Sequence, residues 1–158
     1  MNPAHFHLVI NHFPIILPLA GMMVLLMGLL DSNAGVLRSA YMLFLTGALT
    51  TIVAMRSGEQ AEEFTKHLSG FDQQLVEQHE VAAERLAYMN YAAGLLAGIA
   101  LIVGLKRPKA LRYTAYAILL VACMGMYFSW QVGHSGGQIR HPEIMDLPNK
   151  AQQYEVED

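Results

Sequence analysis

Charge is what this chain has least of. Of its 158 residues, 15% are Asp, Glu, Lys or Arg, against about 25% in an ordinary soluble domain. The hydrophobic fraction is 54% and the mean hydropathy +0.31. A nucleic-acid binder would need a basic surface, whereas the net charge here is −3. A disordered chain would be polar. The length suits one domain and leaves no room for a large soluble enzyme with its own cofactor domain. Cysteine is nearly missing as well. Cys123 stands alone, so there is no disulfide framework, and the absence of Cys-x-x-Cys-His excludes covalently attached c-type haem. Ordinary helix packing is the expected role of Cys123. The start, Met1-Asn2-Pro3-Ala4-His5, lacks the basic segment of a signal peptide, so the apolar run behind it is expected to be retained as a helix.

The apolar residues lie in four runs without Asp, Glu, Lys or Arg: Leu8–Leu30, Ser39–Met55, Leu86–Leu105 and Tyr113–Gly133. A bilayer core needs about 20 predominantly apolar residues per helix. Three runs reach that length, and Arg38 and Arg56 can snorkel outward from the shorter second one. No run carries a polar stripe at helical spacing, which argues against a soluble bundle. The fold class expected is therefore all-α: an integral membrane four-helix bundle, with the lipid bilayer as its first partner. Its helices should cover about 6–30, 36–56, 80–105 and 110–133. Pro14 and Pro18 lie inside the first and should bend it. Ser57-Gly58 reads as a helix stop. An outer connection over 57–79 should contain a short amphipathic helix from Glu59 to Leu68. Residues 1–141 would form the four-span domain and 142–158 a polar, acidic tail. No internal repeat stands out. Gly94-x-x-x-Gly98 fits the small-residue pattern of close helix packing.

Orientation follows from the short turns. Asp31–Arg38 and Lys106–Arg112 hold five basic residues against one acid, and the rest of the chain holds five basic and twelve acidic residues. Basic short turns stay in the cytoplasm. Both termini and the long connection are then extracytoplasmic, in the periplasm of a bacterial inner membrane. All seven histidines (His5, His7, His12, His67, His79, His134 and His141) fall at that outer side. Counting helical rise from the cytoplasmic edge puts His5, His7, His79 and His134 at one level, with His12 deeper. Polar residues at membrane depth are costly and usually functional. No Asp or Glu lies in the central depth of the spans, which argues against an ion pump or a charged channel filter.

Three explanations compete for the histidines. One is haem b held by two of them from different helices, with small residues such as Gly133, Gly136, Gly137, Ala82, Ala83 and Ala87 making room. Another is a Zn, Cu or Fe ion site drawn from His5, His7, His79, His134, Glu59 and Glu80. The third is structural, with histidines as interfacial anchors or caps in a cofactor-free subunit of a larger membrane complex. Tyr88, Tyr91, Tyr127 and Trp130 sit near the same level and read as an aromatic belt, or as the lining of a haem or quinone pocket. Arg56 reads as a structural partner of Glu59 or Glu84, or as the counter-charge of a haem propionate.

Four elements in order carry a resemblance. His12-Phe13-Pro14-Ile15, preceded by His5-x-His7, resembles the His-Phe-Pro-Ile opening of a set of small bacterial four-helix inner-membrane proteins, mostly of unknown function. Ser57-Gly58-Glu59-Gln60-Ala61-Glu62, His79-Glu80-x-x-Ala83 and Gly133-His134-x-Gly136-Gly137 resemble its later elements. That family is similar in layout to membrane cytochromes b. The resemblance implies haem binding and electron transfer, with quinone or a periplasmic redox protein as partner. By matching positions it implies His12, His79 and His134 as ligands, then His7. The cytoplasmic half has no histidine, so a one-sided relay fits better than transfer across the whole bilayer.

Overall fold

The computed structural model describes residues 2–65 and 73–141. Every described element is a helix: α1 (Pro3–Ile10), α2 (Phe13–Leu30), α3 (Ala34–Thr65), α4 (Gln73–Lys106) and α5 (Pro108–Arg140). Taking α1 and α2 together as one span, four helical stretches are long and apolar enough to cross a membrane, the architecture of a multi-pass membrane protein. Large apolar side chains cover the outside. Leu105 and Ile102 are 76% and 71% exposed, and Leu95, Leu120 and Met23 also point outward. The interior is built instead from alanines, among them Ala40, Ala93, Ala97, Ala100, Ala115 and Ala122, with Tyr41, Phe44, Leu25, Leu111 and Ile118 as its large members. That inversion suits lipid as the surrounding solvent, where close backbone packing takes over from hydrophobic burial.

The first span is broken. Pro14 has no N–H to give the carbonyl one turn back, so the helix stops at Ile10, turns through Asn11 and His12, and restarts at Phe13. The His12 carbonyl then accepts from Ile15 and Ile16 as the new N-terminus. Pro18 leaves the Pro14 carbonyl unpaired in the same way. The Asn90 side chain on α4 fills that gap, its Nδ2 donating to Pro14 O at 2.9 Å and to Thr51 Oγ1 on α3 at 2.9 Å. Thr51 passes its own proton to Gly47 O. One buried amide therefore ties three helices.

Three expected boundaries change. Ser57-Gly58 does not stop the second span, because α3 continues unbroken to Thr65. The expected surface helix from Glu59 is thus the end of α3, and its remainder to Leu68 lies outside the described residues, as do His67 and the 142–158 tail. The last span runs to Arg140 rather than 133, and α4 begins at Gln73 rather than 80. Cys123 lies on the exposed side of α5, not in a packed seam.

Adjacent spans pack as neighbours: α2 with α3, α3 with α4, α4 with α5, and α2 closing against α5. At the opposite end of the first span α1 packs on α3, without comparable packing on α4 or α5. The two short turns meet at one end, where Arg112 donates to Ser32 Oγ at 2.6 Å. Tyr41 OH donates to the Leu111 carbonyl nearby. In the middle, α3 and α4 approach through Gly94: a Cβ there would lie 2.4 Å from the Ala48 Cβ. At Gly98 the nearest atom would be 3.9 Å away. The two glycines of the motif should therefore respond oppositely. Gly94→Ala is expected to cost about 1–3 kcal/mol by overpacking. Gly98→Ala should be neutral or stabilising by up to about 1 kcal/mol, through helix propensity. Thermal unfolding of the two variants in one detergent checks the contrast.

Candidate functional site

Among the described residues two histidines, His7 and His79, are half-buried, and the same local structure holds both. His7 on α1 has Nδ1 at 3.0 Å from Ser57 Oγ on α3. His79 on α4 has Nδ1 at 2.9 Å from Ser135 Oγ on α5. The next residue in each partner helix is a glycine whose missing side chain makes room for the ring. A Cβ on Gly58 would lie 3.2 Å from His7 Cε1, and one on Gly136 would lie 3.2 Å from His79 Cε1. The two rings come from different hairpins, His7 from α1 against α3 and His79 from α4 against α5.

The serines fix the proton. Ser57 Oγ donates to the Ala54 carbonyl at 2.9 Å, and Ser135 Oγ donates to the Gln131 carbonyl at 2.9 Å. A hydroxyl that keeps its hydrogen on that carbonyl has only its lone pairs to offer the imidazole, the arrangement in which Nδ1 would carry the ring's N–H. In the neutral ring the lone pair is then on Nε2, the atom free to bind a Lewis acid. A ligating histidine whose other nitrogen is held by an outer hydrogen bond is the usual arrangement in metal and haem sites.

This correspondence extends along the chain. Gly47, Thr51, Ser57, Gly58 and Gln60 on α3 recur as Gly125, Ser129, Ser135, Gly136 and Gln138 on α5, at one common offset. His7 and His79 occupy matching places on the preceding spans. Each hairpin also carries a groove. One, of about 490 Å³, includes Gln78, Trp130, Gln131, His134, Ser135 and Gln138. The other, of about 240 Å³, is lined by Phe6, Ile52, Val53, Arg56, Ser57 and Gln60, the matching positions in the same order. A small set of positions thus recurs between the first and the second hairpin. It did not stand out in the sequence. The recurring positions are few, small or polar, and set in apolar sequence that does not match.

The other expected residues go elsewhere. His12 is exposed in the turn before α2, with no side-chain capping bond. His134 is exposed and stacks on Trp130 at 5.5 Å and 11°, with Gln138 Nε2 3.2 Å from its Nε2. His5, Glu59 and Glu80 are exposed, and Arg56 sits at the mouth of the smaller groove beside Ser57. Tyr88, Tyr127 and Trp130 face outward. Of the four expected haem ligands, His7 and His79 are half-buried against a neighbouring helix, and His12 and His134 are exposed. Among the described residues no three of the His, Cys, Asp or Glu side chains gather to hold a metal ion, so the set His5, His7, His79, His134, Glu59 and Glu80 is not assembled. The sequence reading missed Ser57, Ser135 and Asn90. The recurring Ser-Gly-x-Gln would have found the serines, and a lone amide in an apolar run would have flagged Asn90. Comparison with protein-family models, with curated proteins and with solved structures finds no match to the chain.

Gly58 and Gly136 should act on the rings alone. In a ¹⁵N-histidine spectrum, Gly58→Ala is expected to shift the His7 resonances and Gly136→Ala those of His79. Gly137→Ala, which would add a methyl with nothing within 4 Å, should shift neither. Equal responses to all three would contradict the packing described.

Proposed function

We propose that this chain is a membrane b-type haem protein in which His7 and His79 would hold the haem, acting as a one-sided electron relay or as an anchor subunit of a redox complex. The observation that carries the reading is the matched pair of imidazoles. They come from equivalent places in two hairpins, each held through Nδ1 with Nε2 free. Haem b needs two such ligands and nothing more from the protein's donors. A structural ion site needs three or four, and these do not gather among the described residues.

The surroundings fit a bound group. The α1 end of the first span packs mainly on α3, with little packing on α4 or α5, which leaves that end of the bundle less closely packed. Two polar atoms there are buried without partners: Asn11 Oδ1, one turn beyond His7 on α1, and Ser129 Oγ on α5. An incomplete polar lining is expected where a cofactor or water completes it. Arg56, next to Ser57, is placed to face a propionate, a use that suits its fork of donors. When bound, haem would supply reversible one-electron chemistry at its iron. The protein's share is to orient the two imidazoles, pack small residues against the ring and set the local field.

The basic short turns support an orientation with this site at the outer, periplasmic face. Its electron partner is then a periplasmic protein or quinone at that surface. A visible spectrum of protein purified in detergent from haem-replete cells, oxidised and then dithionite-reduced, tests the reading. A Soret band and a sharp α-band are expected. His7→Ala and His79→Ala should each abolish the six-coordinate spectrum, and His12→Ala and His134→Ala should leave it intact. A protein without these bands, carrying instead stoichiometric Zn or Cu by elemental analysis, would replace this reading with a metal-ion one.

A further inference from the structure

We propose that Ser57 and Ser135 are positioning residues: each sets which nitrogen of its histidine carries the proton, and so makes Nε2 of His7 and of His79 the ligand atom. The inference rests on the reading of those histidines as ligands, but the arrangement it concerns belongs to the protein alone. Both serines are buried inside helices, Ser57 at 3% exposure and Ser135 at 8%, where a hydroxyl has no water to bond. Each turns its proton back to a carbonyl of its own helix, at 2.9 Å, a pattern open to serine in any helix interior. That back-bond makes the hydroxyl oxygen a pure acceptor, aimed at 3.0 Å and 2.9 Å at the histidine on the neighbouring span.

The adjacent glycine is part of the same device. With the rings seated against Gly58 and Gly136, the imidazole edge bearing Nδ1 lies on the partner helix, and a flip would take Nδ1 away from its acceptor. The hydroxyl also makes the imidazole a stronger donor of electron density to whatever binds Nε2, as outer hydrogen bonds to ligating histidines do. Because both hairpins carry the device, the two ligands would be matched in tautomer and in strength.

The test has two parts that separate this proposal from the haem reading. In ¹⁵N-histidine spectra of cofactor-free protein, His7 and His79 are expected as Nδ1–H tautomers. Ser57→Ala should convert His7 alone towards the Nε2–H form or a mixture, and Ser135→Ala His79 alone. Ser135→Thr, which keeps the hydroxyl, should restore the Nδ1–H form. In haem-loaded protein each Ser→Ala variant should bind haem about tenfold to a hundredfold more weakly and shift the midpoint potential, with the axial histidines unchanged. Nδ1–H tautomers that persist in both Ala variants would overturn the proposal even if haem is bound. Serine-dependent tautomers in a protein that takes up no haem would leave it standing and remove only the choice of cofactor.

Discussion

A backbone carbonyl left without a partner inside a bilayer costs several kcal/mol, and the arrangement of this bundle depends on how one such group is satisfied. Pro18 cannot bond the carbonyl of Pro14, and the helix that carries both has no other donor at that place. Asn90 reaches across from α4 and supplies it, while its second N–H holds Thr51 on α3. Those two bonds fix the first, second and third spans against one another in rotation and in height. The level of His7 relative to His79 follows from that registration. The close approach at Gly94 and Ala48 works in the same direction by locking α3 to α4.

The prolines then have two effects on one span. Pro18 creates the demand that Asn90 meets. Pro14 breaks the helix, so that α1 follows its own course along α3 while α2 closes against α5. A straight span would have carried its helical face unchanged through Asn11 and His12. The break resets that face, and it is His7, seated on Ser57 and Gly58, that turns to the interior, while His12 in the turn is left outside.

The four spans were legible because their signal is one of length and apolarity, which lipid imposes on any helix that crosses it. A residue count could place the histidines towards one end of the spans. Which histidines face inward was not legible, since a count of rise says nothing about rotation once a proline interrupts the helix. Ser57-Gly58 misled for a related reason. As local chemistry the pair ends helices, and only the ring of His7 lying against Gly58 explains why a glycine is wanted inside one. The repeat was hidden because the constraint it keeps is small. Both hairpins need a hydroxyl, a missing Cβ and a polar side chain at the helix end, and the apolar residues between them are free to drift wherever they face lipid.

The recurring positions also account for the number of half-buried histidines. Each hairpin supplies one imidazole with its serine and glycine, so the two hairpins supply two in equivalent settings. Such an arrangement offers two neutral nitrogen donors and no third. A tetrahedral ion would need donors from places the repeat does not furnish, whereas a planar macrocycle brings four of its own and asks the protein for the remaining two. Under the proposed reading, two equivalent imidazoles would leave a bound ring without a preferred side, apart from what Arg56 and its counterpart His134 introduce along the two grooves. At that pair one copy carries a guanidinium and the other an imidazole. That pair is therefore the place from which an otherwise symmetric site would acquire a direction.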